Sequence, residues 1–525
     1  MTALFDADQS STSQSHRSRL IYPLGLGLIW LFAVALRFWG LERFNTLVFD
    51  EIYYVKFADQ YLRQVPLFDG HPPLSKYIIA ATIWFAEKWQ LGPALGNDLA
   101  GSFHTTWSYR WSAALTGSLI PIVTAELVRQ ISRNVRFALI AGSFITLDGL
   151  FLVESRYGLN NVYLVIFGLI GQLGLVLAAR SAAGRIWHLG RWQMWVWLCV
   201  SGIGFAASAS VKWNGLWFLL GGYGVLGLAW GLQLWRWAQW DGGEVDAGEV
   251  DAGERDESAS AIDPDSILER LGRLNPIAIA LCLGLLPWFF YVWTWGPHLA
   301  LNPTETFWGL QEKILTYHQN VKSGKEVHPY CSDWLSWLLM QQPVAYFYQR
   351  GISPQQLLPT GAVVKPDGLI YAVHAMGNPP LWWAATAAIG GTLLTTIGDI
   401  WRRLQNRLGA VAGHARSGLS GFDFGLATYL LVNYLGSLLP WMRVTRCIFL
   451  YHYMGASIFS MVALAWWCDR AWSVVSLRPW VIGLGVAIGL GFGFWLPVYL
   501  GLPLSAEEYA ARMWSKAWIC GANCQ

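Results

Sequence analysis

Charge is what this 525-residue chain has least of: Asp, Glu, Lys and Arg make up 13% of it, against roughly 25% in an ordinary soluble domain. With 54% hydrophobic residues and 33 Trp, that scarcity excludes a soluble globular chain and implies a multispanning membrane protein. The net charge of +3 is too small and too scattered to serve a nucleic acid. The 7 Cys show no metal-ligand spacing. Cys199, Cys282 and Cys468 fall in apolar runs and read as core. Cys520 and Cys524 flank a GAN turn and would pair if that end faces an oxidising compartment. The polar first 18 residues lack a cleavable signal pattern, so the first span is expected to act as the insertion signal.

What is present is a series of apolar windows. They predict eleven spans, near 20–39, 109–128, 137–152, 159–179, 193–210, 213–233, 275–296, 380–398, 423–441, 451–468 and 480–500. Arg-rich short loops (Arg129, Arg133 and Arg136; Arg180, Arg185 and Arg191; Arg402, Arg403, Arg407 and Arg416) then fall on one side, with Arg17 and Arg19. The expected organisation is a cytoplasmic tail 1–19, a membrane domain 20–500 and an external tail 501–525. Loops 40–108 and 297–379 are expected outside, and segment 77–91, interrupted by Glu87 and Lys88, is expected to lie in the interface. The cytoplasmic loop 234–274 carries an acidic pentapeptide repeat at 243–257 that reads as disorder without chemistry. The pairs Gly168/Gly171 and Gly485/Gly489 read as helix packing.

The stretch 48–77 stands out. It packs Asp50, Glu51, Lys56, Asp59, Arg63, Asp69, His71 and Lys76 among aromatic rings. At the end of an apolar approach at least one of two adjacent carboxylates is expected to be partly desolvated, which raises it toward a base's working range. His71-Pro72-Pro73 is a stiff element just before Lys76. Four further polar islands fall on the same side. They are Arg110; Asp148, Glu154, Arg156, Asn160 and Asn161; Lys212 and Asn214; and Arg443, Arg446, Tyr451 and His452. A single cation at a span end is an ordinary interfacial anchor, but cations from several segments run against the positive-inside bias. Together they describe an outward cavity with a carboxylate pair and several cations, an anion site with a base. A transporter or flippase would also use many spans and a polar cavity, but the internal repeat such folds show is not visible here.

The chain resembles the protein O-mannosyltransferases. FDEIYYVKFADQYL and FDGHPPLSKYIIA match that family's first external loop, and YRWSAALTGSLIPI, LDGLFLVESRYGLNNVYL, ASVKWNGLW, GNPPLWW and FLYHYM follow in order. Loop 297–379 is too short for the luminal beta-trefoil domain of eukaryotic members, so the likeness is to the bacterial form, as is that of YAARMWSKAWI near the C-terminus. The resemblance implies an all-α polytopic membrane protein with the glycosyltransferase C-type fold, placed in a bacterial plasma membrane with its site outside. It implies a polyprenyl-phosphate-mannose donor, a Ser/Thr hydroxyl of a translocating polypeptide as acceptor, and inversion at the anomeric carbon. Asp50 would be the base and Glu51 its neighbour, while Arg110, His71 and Lys76 would stabilise the lipid phosphate or hold the loop. With Arg156, Lys212, Arg446, Tyr451 and His452 they form the expected substrate-binding set. One carboxylate and several cations suffice for this chemistry, because the leaving group is already a phosphate. No metal is required, although the Asp50-Glu51 pair has donors for one. A related transferase passing a sugar to a lipid or polysaccharide acceptor is the nearest alternative.

Overall fold

The computed structural model describes residues 2–182, 192–240, 266–324, 326–351, 368–407 and 421–519; the acidic repeat 243–257 and the Cys520–Cys524 turn lie outside them. In chain order the first helices are α1 (Thr2–Phe38), α2 (Glu51–Leu62), α3 (Leu74–Lys88), α4 (Trp111–Ser132), α5 (Val135–Thr146), α6 (Gly149–Glu154), α7 (Asn161–Ser181), α8 (Trp192–Val211) and α9 (Leu216–Trp240). Long helices follow at Pro379–Arg407, Gly421–Leu438, Met454–Ser473 and Arg478–Leu500.

Each of the eleven expected segments is helical, but among the described residues 8 helices are long and apolar enough to cross a membrane. The expected span 137–152 is the clearest departure. Helix α5 has 12 residues and, at 1.5 Å each, reaches about 18 Å, short of a hydrocarbon core of roughly 30 Å. Asp148 divides the segment: its side chain accepts from Phe151 N at 3.0 Å and caps the separate short helix α6. The segments expected at 423–441 and 451–468 are Gly421–Leu438 and Met454–Ser473. The latter is buried along almost its whole length, so Ser457, Ser460 and Asp469 are carried inside the bundle.

Helix α7 is the centre of the bundle and packs against α4 and α8. A Cβ at Gly168 would come within 2.3 Å of the Phe218 ring and one at Gly171 within 2.4 Å of Phe205, which is why small residues stand there. Gly485 and Gly489, expected to pack likewise, meet nothing within 4 Å in this chain.

The loop expected at 40–108 is built from α2, α3 and a small hairpin of β1 (Gly96–Asn97) and β2 (His104–Thr105). The loop expected at 297–379 adds helix Phe307–Asn320 and an antiparallel pair, β3 (Val344–Arg350) with β4 (Ile370–Ala375). Strand β5 (Pro503–Leu504) extends the start of β4. The predicted interfacial segment 77–91 is largely α3, with Trp84, Phe85 and Trp89 exposed. A disulfide, Cys331–Cys447, joins the second loop to the segment that follows helix Gly421–Leu438.

Candidate active site

The two adjacent carboxylates are used differently. Phe49 takes a left-handed turn (φ 54°), and its ring stacks on Tyr346 of β3 at 4.1 Å. This turn delivers Asp50 to the N-cap position of α2, where its side chain caps no backbone N–H and stays available. Asp50 is half-buried. Burial pushes its carboxyl up to about 6, with Lys212 opposing and Asp69 adding to the rise.

Glu51 is fully buried and committed. Its carboxylate accepts from Arg110 Nε at 2.9 Å and Nη2 at 2.8 Å, and from the backbone N–H groups of Val48 and Gly158, both at 2.7 Å. Arg110 spends its remaining donors on carbonyls of the chain before α2: Leu41 at 3.2 Å, Phe44 at 2.8 Å and Thr46 at 2.7 Å. Of the two roles open to Arg110, holding the loop is the one this geometry displays. Fully buried, with every N–H engaged, it has no donor left for a phosphate.

Lys76 is placed likewise. Its buried ammonium pairs with Asp69 at 2.6 Å and donates to the His71 carbonyl at 3.1 Å, which closes the turn around His71-Pro72-Pro73. Gly70 sits just before that turn because a Cβ there would meet the Tyr317 ring at 2.6 Å, so helix Phe307–Asn320 packs directly on the loop. His71 thereby comes 5.2 Å, ring to ring, from His318. Burial holds both imidazoles below their ordinary value, His318 at about 4, with Lys212 and Arg446 pushing in the same direction.

These rings line a cavity of 310 Å³ together with Lys212, Asn214, Arg443 and Arg446. Lys212 follows the last residue of α8, is 5% exposed, and lies 5.3 Å from the Tyr451 ring centroid. Burial lowers its ammonium to about 8, as does Arg446, while Asp50, Glu154 and Asp69 hold the charge on. A second cavity of 510 Å³ shares Trp213 and Trp217 with the first and is otherwise lined almost wholly by apolar side chains such as Phe205, Leu283 and Trp288. A polar, cationic chamber therefore adjoins an apolar groove.

Of the expected set, His71, Lys212 and Arg446 line the chamber, and Tyr451 and His452 flank it through the ring beside Lys212. Arg156 departs from the expectation. It is buried, and donates to the carbonyls of Leu36, Arg37, Trp39 and Gly40 at 2.9–3.0 Å, closing the C-terminal end of α1 as a cation suits a helix C-terminus. Two features escaped the sequence reading: His318 lies in an unremarked helix, and Cys331 and Cys447 are 116 residues apart with no spacing to pair them. Glu154, named in a polar island, takes hydrogen bonds from Asn161 (3.1 Å) and from the distant Tyr346.

Two family profiles cover the chain. Residues 27–301 match the one described as dolichyl-phosphate-mannose-protein mannosyltransferase, and 303–518 match the C-terminal four TMM region of protein-O-mannosyltransferase. The chain belongs to the protein O-mannosyltransferase family. Among relatives of this family member, a polyprenol-phosphate-mannose–protein mannosyltransferase of Mycolicibacterium smegmatis is 24% identical, with 90% of this chain and 88% of that one aligned. The enzyme of the same name from Corynebacterium glutamicum is 23% identical over 94% of this chain and 92% of its own. The protein O-mannosyltransferase Pmt1-Pmt2 complex of S. cerevisiae, solved with its sugar donor, has the same fold (TM-score 0.71, 14% identity, 96% of this chain and 93% of that one). The resemblance read from the sequence is therefore confirmed, as is the membrane glycosyltransferase fold.

Proposed function

We propose that this enzyme transfers mannose from a polyprenyl-phosphate-mannose donor to Ser or Thr hydroxyls of polypeptides crossing the membrane. The observation that carries the reading is the junction of the cationic chamber with the apolar groove. A lipid-linked phosphate needs both at once, and Lys212 in the chamber wall is under the electrostatic influence of both Asp50 and Arg446. The names of the mycobacterial and corynebacterial relatives agree with that donor.

In this mechanism the donor's prenyl chain lies along the groove and its phosphate is held by Lys212, Arg446 and Arg443. The acceptor hydroxyl approaches the anomeric carbon from the face opposite the phosphate and gives its proton to Asp50. The new carbon–oxygen bond forms as the bond to the phosphate oxygen breaks, inverting the centre, and the electron pair leaves on the phosphate. The cations stabilise that developing charge, which removes the need for a general acid. Glu51, Arg110 and Lys76 hold the loop in register. Chemistry takes place on the outer face of a bacterial plasma membrane, with α1 entering from the cytoplasm; a disulfide beside the site agrees with an oxidising compartment.

The test uses the purified full-length protein in lipid nanodiscs with radiolabelled polyprenyl-phosphate-mannose. A Ser/Thr-rich peptide is expected to acquire base-labile label. Label appearing in a lipid or glycan acceptor but never in peptide would overturn the acceptor assignment.

A further inference from the structure

The far end of α2 carries a second charged cluster that this reaction does not use. His104, in β2, is 4% exposed and sits between carboxylates from two different helices. Its Nε2 is 3.1 Å from Asp59 Oδ1 on α2, and its Nδ1 is 2.7 Å from Glu87 Oε1 on α3. Asp59, fully buried, also accepts from Arg63 Nε at 2.8 Å and from the Ser102 hydroxyl; Glu87 accepts from Ser108 Oγ at 3.4 Å. The charged groups around the ring are thus Asp59 and Arg63 from α2 and Glu87 from α3. The turn before β2 closes directly over the cluster: Gly101 has φ 124°, and a Cβ there would lie 2.7 Å from Asp59 Oδ2. The same hairpin reaches the chain ahead of the site, where Asn97 Nδ2 donates to Asn45 Oδ1 at 3.1 Å.

A neutral imidazole has one N–H, so one of the two contacts would set a bare nitrogen lone pair against a carboxylate. Only an imidazolium donates to both. We infer that His104 is a positioning residue for the catalytic loop: as an imidazolium it bolts the β1–β2 hairpin to α2 and α3, and so holds the helix whose N-terminus presents Asp50 and Glu51.

The clamp has a pH signature. Burial by itself would lower the ring from its ordinary 6.5, but Glu87 and Asp59 outweigh it and the value is raised. A group whose folded value is raised contributes fully below its unfolded value and loses that contribution as pH climbs through the folded one. The loop should therefore tighten in mild acid and loosen in alkali. The effect on turnover rests on Asp50 being the base; the effect on loop order does not.

Amide hydrogen exchange on the full-length protein in nanodiscs, expressed as protection factors so that intrinsic rates cancel, tests both parts. Between about pH 6 and about pH 9, wild-type protection in 51–62 and 96–106 is expected to fall roughly tenfold or more. His104→Gln should be weakly protected at both pH values. His104→Arg, with a permanently charged fork able to reach two carboxylates, should retain protection in alkali. Turnover at the lower pH should drop in His104→Gln and recover in His104→Arg. Wild-type protection that ignores pH, or His104→Gln protected like wild type at about pH 6, overturns the clamp. Protection that behaves as expected while His104→Gln turns over normally overturns the positioning role. Failure of the Asp50 reading would instead appear as an active Asp50→Asn with the exchange pattern intact.

Discussion

Arg110→Lys separates a structural brace from a phosphate ligand. Arg110 makes five hydrogen bonds, two to Glu51 and three to the carbonyls of Leu41, Phe44 and Thr46. An ammonium has three N–H groups in a cluster rather than a planar fork, so at least two of these buried acceptors lose their donor. At about 1–3 kcal/mol for each unsatisfied buried acceptor, the variant should lose about 2–6 kcal/mol of stability. Thermal unfolding in nanodiscs should show a clear drop in Tm. Kinetics measured well below both transitions should then show a modest fall in kcat, with donor KM altered less than roughly tenfold, about 1.4 kcal/mol. A wild-type melting curve combined with a kcat lowered a hundredfold or more, the loss of about 3–4 kcal/mol typical of a transition-state anion contact, would refute the brace.

Asp50→Asn keeps size but removes the proton acceptor, so transfer should fall by roughly 10²–10⁴ while donor binding by equilibrium titration persists. Because burial raises the Asp50 carboxyl to about 6, the wild-type kcat/KM should climb with pH through that region; a profile flat across it would contradict the base assignment. Cys331→Ser with Cys447→Ser opens a 116-residue loop and should cost about 2–5 kcal/mol, read as a lower Tm that dithiothreitol reproduces in wild type. Deleting 243–257 should leave transfer within roughly tenfold of wild type; a larger loss at normal membrane expression would give that repeat a function. A cysteine placed beside Asp50 should label with an impermeant maleimide in intact cells, and one at 403 should not; the reverse pattern would invert the topology.

The site was legible in the sequence to the extent that its chemistry is carried by local strings. The pair Asp50-Glu51, the stiff His71-Pro72-Pro73 and Lys212 at the end of an apolar run each announce themselves through neighbours a few residues away. What a string does not carry is what a cation faces. Arg110 and Lys212 both stand at span ends, yet one is sealed against Glu51 and the other lies beside a cavity, a difference set by residues more than fifty positions distant. The same limit hid the Cys331–Cys447 bond and the His104 cluster, whose members come from three separate elements, α2, α3 and β2. The span at 137–152 was misjudged for another reason. Asp148 is visible in the string, but only the capping geometry there shows that it starts a separate helix rather than ending a span.

The disulfide also sets an order of events in the life of the chain. Asp50 and its loop are made early, but Arg443, Arg446, Tyr451 and Cys447 belong to a segment that emerges only when most of the protein has been synthesised. Ser332 bonds the Ile448 carbonyl through both its N–H (2.9 Å) and its hydroxyl (3.0 Å), and Cys447 N donates to the Lys322 carbonyl at 3.1 Å, so the late segment is seated by the middle of the chain and then locked by thiol oxidation. A chain made only that far has Asp50, His71 and Lys212 but lacks Arg443 and Arg446, which complete the cationic wall of the cavity. On the proposed mechanism, transfer activity is expected only once that late segment is seated, which ties catalysis to the end of synthesis.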